Sequence, residues 1–230
     1  MIQETADLPF DNSTYGIDIS QYNNYTSYDQ IVNTMHHDRK LGAVFMRGSK
    51  AANYTDPTYL FNAAAFSTYP DVEFRATYHH HVTSVSGREQ AEYVAQMLAA
   101  NPYFIRQTDY YVIDVEDDDA SVSKEQYAHN IIEFIATMES YHYTNSMIYV
   151  TANFWNDHVG EEAYGLFNKT KLWLARWGDN NGEIPEGEKW YTELPNGAEK
   201  ASVWQFTSRG NIDGMDGDCD LDLISKDLLN

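Results

Sequence analysis

The sequence has a single cysteine, Cys219, which excludes an internal disulfide framework and leaves the redox compartment open. Basic residues are scarce: 15 Lys and Arg stand against 35 Asp and Glu, a formal net charge of -20. Nucleic-acid binding depends on neutralising phosphates with cations, and anionic membranes attract polybasic segments, so both partners are set aside. No apolar run approaches the ~20 residues that a membrane span needs. The opening stretch MIQETADLPFDNSTYG lacks a basic n-region and an apolar h-region, so no signal peptide is visible. The chain is therefore either cytosolic when made or a mature form whose signal was removed.

What remains is ample for a core. Hydrophobic residues make up 43% of 230 positions, enough for one large domain. Aromatics are plentiful, with 18 Tyr, 10 Phe and 5 Trp; most such rings pack in cores, and a minority suit stacking on sugars. No repeat, low-complexity tract or linker is seen, so residues 1–230 are expected to form a single domain.

Strand and helix signals alternate along the chain. TYGIDIS (14–20), GAVFMRGS (42–49), VEFRATYHHHV (72–82), YYVIDVEDDD (110–119) and SMIYVTA (146–152) carry the strand signals. Between them, YDQIVNTMHHDR has helical spacing at Ile31 and Met35, which puts His36 and His37 on a helix surface. In DPTYLFNAAAF, Asp56 stands at an N-cap and Pro57 at the first helical position. SGREQAEYVAQMLAANP opens with Ser86 and Glu89 in capping-box spacing and sets Ala91, Val94, Ala95 and Leu98 on one face. SKEQYAHNIIEFIATME carries Tyr127, Ile131, Phe134, Ile135 and Met138 as an apolar stripe. Past about residue 170 the helices stop, and KLWLARWG, ASVWQFTS and CDLDLI are strand-like. Alternation implies a parallel sheet with helices outside, and eight strands close a small barrel. The expected fold is α/β, an irregular TIM-like barrel of five βα units followed by three strands with little helix.

In such barrels chemistry gathers at the C-terminal strand ends. Asp18 ends the first strand, Asp114 and Glu116 end the fourth, and Asp220 and Asp222 fall in the last. Residues two apart on a strand share a face, so Asp114 and Glu116 point the same way. Their like charges oppose each other's ionisation, and one should keep its proton to higher pH, which gives a site both a proton donor and an anion. The plain alternative is a strand running into a solvated acidic loop. First and last strands are neighbours in a closed barrel, so Asp18 and Asp220 can approach each other. Convergent carboxylates without a basic partner are costly unless they have a job, and they point to an acid-dependent glycoside hydrolase.

Other groups have ordinary explanations. His79, His80 and His81 alternate faces, so they cannot all bind one ion, and packing or hydrogen bonding is expected. DGMDGDCDLD has an aspartate rhythm, but counted from Asp216 the glycine position of a calcium loop is Leu221; no metal and no cofactor are expected. Asp117, Asp118 and Asp119 suit a solvated loop. Cys219 suits a small buried residue whose acidic neighbours suppress the thiolate.

Seven stretches, GIDISQY, VFMRGS, TYHHH, VIDVE, IYVTANFW, LWLARW and WQFTSRGNIDGMDGDCDLDL, together resemble the glycoside hydrolase family 25 lysozymes, in that family's order and over roughly residues 15–224. These are the N-acetylmuramidases of phage endolysins, bacterial autolysins and fungal lysozymes. The resemblance implies a barrel of five βα units and three further strands, in agreement with the count above. It implies a peptidoglycan hydrolase cutting between N-acetylmuramic acid and N-acetylglucosamine, with Glu116 as general acid and Asp114 as partner carboxylate. Asp18 and Asp220 match the family's site-shaping acids. Tyr78, Tyr149, Trp177, Trp204 and Gln205 match positions lining the groove, and Arg47 a strand-end basic position.

Departures fall outside the four acids. Asn23-Asn24 replaces the usual Gln-Gly, Tyr28 a nearby Trp, and Asp222 the closing Asn; three histidines stand where one is usual. They bear on loop shape and subsite preference. Positions two apart on a strand lie roughly 6.6 Å apart along the backbone, between the separations of retaining and inverting glycosidases. A substrate-assisted route, with the N-acetyl oxygen as nucleophile, is a third option. Two other functions remain open on the sequence alone: a barrel that binds wall glycan without cutting it, and a glycosidase for another acetamido-sugar polymer such as chitin.

Overall fold

The computed structural model describes residues 10–25, 27–187 and 189–229. Eight strands close a barrel: β1 Phe10–Ile19, β2 Arg39–Lys50, β3 Phe74–His80, β4 Tyr110–Asp114, β5 Ser146–Val150, β6 Lys171–Ala175, β7 Val203–Gly210 and β8 Cys219–Ser225. Each of β1 to β7 runs parallel to the next in sequence order, while β8 lies antiparallel between β7 and β1 and completes the ring. Parallel pairing needs a crossover of about a dozen residues or more. The link 211–218 is too short for one, so the last strand turns back instead of continuing the parallel series.

Helices α1 Tyr28–Asn33, α2 Tyr59–Phe66, α3 Gly87–Ala100, α4 Lys124–Ser140 and α5 Ala152–His158 follow the first five strands, the last continued by a 3₁₀ segment, Glu161–Asn168. After β6 comes one short helix, Lys189–Thr192, so the expected five βα units and three nearly bare strands are present. Side-chain oxygens of Ser27, Ser86, Ser123 and Thr151 cap the backbone N–H groups three residues on. The stripes on α3 and α4 are buried as the spacing requires. No described helix is long and apolar enough to cross a membrane.

Two local expectations need correction. The first helix stops at Asn33, and Met35–His36 pair back onto residues 39–40 through His37 and Asp38, whose φ values are 47° and 61°. Two successive positive φ values make the hairpin turn that suits a twisted sheet. Beyond buried Ile31 and partly buried Val32 the segment has no further apolar anchor, Met35 being exposed, so pairing with the sheet edge wins over a longer helix. His36 and His37 therefore lie on a hairpin. Helix α2 begins at Tyr59, later than expected, although Asp56 Oδ1 still takes the Thr58 N–H at 2.9 Å and the Thr58 hydroxyl at 2.6 Å.

Strand alternation divides the apolar residues into two cores. Phe45, Val112, Met147, Trp173, Val203 and Ile224 fill the barrel interior. The larger core lies between barrel and helices and includes Tyr111, Ile113, Ile148, Leu172 and Trp204. Since Val112 points inward, so does Asp114. The Val115 N–H donates to Tyr149 O at 2.9 Å, which extends the pairing past the strand end and carries Glu116 to the mouth on the same side.

Candidate active site

At the C-terminal end of the parallel strands lies a groove of about 550 Å³. Its lining includes Asp18, Arg47, Tyr78, Asp114, Glu116, Tyr149, Trp177, Gln205 and Asp220, nine of the ten residues singled out from the sequence. Asp18 and Asp220 are direct register partners across β1 and β8. The reversal of β8 is what achieves this: its N-terminal end, not its C-terminal end, reaches the mouth.

The tenth residue, Trp204, turns away. It is buried in the outer core against Phe10, Tyr191 and Phe206, and its Nε1–H donates to Arg176 O at 2.8 Å. Trp204 and Gln205 are adjacent on β7 and must face opposite sides, so only one can enter the groove. Gln205 does. Its Nε2–H donates to Asp18 Oδ2 at 2.7 Å, and its Oε1 accepts from Tyr149 Oη and Trp177 Nε1, each at 3.0 Å. One amide thus ties two aromatic walls to one acid.

On the opposite side Asp114 is buried and Glu116 half exposed. The Asp114 charge, with burial second, raises Glu116 to about 7, against the pull of His80 and Lys50. Burial lifts Asp220 to about 6. Burial, then the charges of Asp220 and Asp222, hold Asp18 well above the usual carboxylate range, with the Gln205 bond opposing. Asp222 is deeper still and also raised by burial; its Oδ1 accepts from Trp173 Nε1 at 2.7 Å. Arg47 donates through Nε to Asp56 Oδ2 at 2.8 Å and covers the Tyr22 ring at 4.8 Å.

Sequence reasoning missed His80, Lys50 and Trp173. Trp173 stacks on Phe45 at 4.2 Å and meets the Tyr149 ring edge-on at 4.7 Å. His80 Nδ1 lies 3.2 Å from Asp114 Oδ2 and 3.7 Å from Glu116 Oε1. The available signal was strand parity: His80 is two residues from Tyr78, already placed in the groove. His79 and His81 have the opposite parity and are packed, as expected. His79 bonds Ser49 and Gln90, and His81 stacks on Tyr127; burial lowers both from their ordinary value. Cys219 is buried, and burial followed by the acids around it raises its thiol well above normal.

Donor atoms of His80, Asp114 and Glu116 lie within 4.8 Å of one another, the one such trio among the described residues. We assign it no ion, because the His80 ring already bonds Asp114. A proton-holding carboxyl beside an anion, in a groove walled by aromatics, can perform acid-catalysed cleavage of a sugar chain.

The profile of glycosyl hydrolases family 25 matches residues 17–215. The chain is 25% identical over 219 residues to Lysozyme M1 of Streptomyces globisporus, a match covering 92% of this chain and 68% of that one. A bacterial lysozyme of Streptomyces coelicolor has a similar fold, with a TM-score of 0.71 at 23% identity over 94% of this chain and 95% of the other. A muramidase of Acremonium alcalophilum also gives 0.71, at 18% identity over 94% and 97%.

Proposed function

Because the chain belongs to glycosyl hydrolases family 25 and is thus a glycoside hydrolase of lysozyme type, we propose that it cleaves the β-1,4 bond between N-acetylmuramic acid and N-acetylglucosamine. Glu116 is the general acid and protonates the oxygen that leaves with C4 of N-acetylglucosamine. The observation that carries this reading is the pairing of Glu116 with Asp114 on one side of the groove, which leaves Glu116 protonated up to about pH 7. A general acid needs its proton at working pH, and the pair supplies that condition.

Asp114 is the partner anion. Its oxygen lies within 4.8 Å of that of Glu116, closer than the ~6.5–9.5 Å that admits a water in inverting enzymes. Retention of configuration is the outcome this favours. Asp114 is almost fully buried, which suits gripping an acetamido group better than attacking a sugar carbon. The nucleophile in this reading is the substrate's own N-acetyl oxygen. Asp18, held by Gln205, and its register partner Asp220 shape the facing side, while Tyr78, Tyr149 and Trp177 bear on the sugar rings. The proposed enzyme is a single barrel that acts as a monomer on glycan strands, outside the cell or in the wall.

The test is digestion of purified peptidoglycan by wild type and by Glu116→Gln, followed by borohydride reduction and mass spectrometry. New reduced muramic acid ends should come from wild type alone, with the variant down by about 10³-fold or more. Reduced N-acetylglucosamine ends would refute the bond choice, and no new ends from either protein would favour a glycan-binding barrel or another polymer.

A further inference from the structure

Of the three consecutive histidines 79–81 at the end of β3, His80 is the one that enters the groove. Asp114 is buried, and its Oδ1 has no hydrogen-bond partner; among the described residues, His80 is the only donor to this carboxyl. A buried carboxylate with one donor depends heavily on it, and losing that donor leaves an uncompensated charge. Few other cations are at hand. Lys50, at the end of β2, faces the same space, and Arg47 pairs with Asp56 through Nε and covers the Tyr22 ring. The charged groups acting on the ring are Asp114 and Glu116 from the end of β4 and Lys50 from β2. His79 on β3 and His81 just past it face the outer core.

We propose that His80 is a positioning residue and the countercharge of the pair: its ring orients Asp114 and offsets the negative charge of both carboxyls, which sets how far up the pH scale Glu116 holds its proton. The inference rests on the muramidase reading of that pair. Burial pulls the ring's pKa down, but the hydrogen bond and charge of Asp114 outweigh it and hold His80 above its ordinary value. The same cation serves the next step. When Glu116 gives its proton to the leaving oxygen, the new carboxylate forms 3.7 Å from the His80 ring. Without that charge, two anions would be left side by side.

The experiment is a ¹³C NMR titration of the Glu116 carboxyl in wild type, His80→Gln and His80→Lys, together with the pH profile of kcat on solubilised peptidoglycan. An opposite charge this close shifts a pKa by about one unit or more. In His80→Gln the Glu116 midpoint and the alkaline limb of the profile should both move up by about one pH unit, with kcat reduced and KM little changed. His80→Lys should bring the midpoint back toward wild type. In Asp114→Asn, the His80 ring should titrate about one unit lower than in wild type. An unmoved Glu116 midpoint in His80→Gln, or an unmoved His80 ring in Asp114→Asn, would overturn the inference. A lower rate with unmoved midpoints would reduce His80 to a packing role. Midpoints that move in a protein yielding no muramic acid ends would uphold the countercharge and refute the muramidase reading, so the two failures are distinct.

Discussion

Gln205 shows how much one side chain can decide at a barrel mouth. Tyr149 and Trp177 both donate to its carbonyl, and its amide holds Asp18. Gln205→Ala releases all three partners, so kcat should fall about ten- to a hundredfold, the scale associated with small misplacements of reacting groups. Steady-state kinetics on solubilised glycan would check it; a change in KM alone would contradict the positioning role. Parity makes part of this legible in the sequence itself, Asp114 with Glu116 on one strand end, whereas Tyr78 and Arg47 come from the resemblance to the family. Applied to β7, parity also separates Gln205 from Trp204, and applied to β3 it finds His80. What a single strand cannot reveal is which parity faces inward. That depends on neighbours such as Val112 and Trp173 meeting inside a closed ring.

Among the elements, α3 and α4 pack most intimately where Gly87 opens α3. A Cβ there would sit 1.9 Å from Asn130 O, a backbone atom that cannot step aside. Asn130 also donates through Nδ2 to Thr83 O at 2.9 Å, anchoring the loop that follows β3 and His80. Gly87→Ala should therefore cost about 1–3 kcal/mol through overpacking, visible as a lowered denaturation midpoint with unchanged m-value. An unaffected midpoint would mean that the helices separate easily. Both helices were legible from caps and stripes, because their apolar periodicity agrees with the packing that holds them. The short α1 and the reversed β8 were not. The helix yields to a local hairpin, Met35–His36 on residues 39–40, which its apolar spacing does not show, and β8 is set by the gap between β7 and β1, the second of them remote in sequence.

Across the whole molecule the acids dominate, and those in the groove tie stability to pH. Glu116 is raised to about 7, Asp220 to about 6, and Asp18 and Asp222 well above the usual range. Unfolded carboxyls titrate near 3.9–4.3, at about their reference values. Between about pH 4 and pH 7 these carboxyls bind more protons folded than unfolded, so their contribution to stability falls as pH rises through that window. Half-buried His36 and buried His79 and His81, held below their ordinary value, act in the opposite direction but are fewer. The net charge of -20 adds self-repulsion in the same direction. The Tm should be higher at pH 5 than at pH 7.5. Asp222→Asn keeps an acceptor for Trp173 while removing one buried carboxyl, so it should flatten the dependence. A Tm that rises steadily from pH 5 to pH 7.5 would refute this account.

Register pairs Phe10 with Ser225, at the start of β1 and the end of β8. Both positions lie at the floor of the barrel, because β1 runs toward the mouth and β8 runs back from it. A label or support attached at either of these two positions sits behind the opening of the groove and leaves the cleft clear.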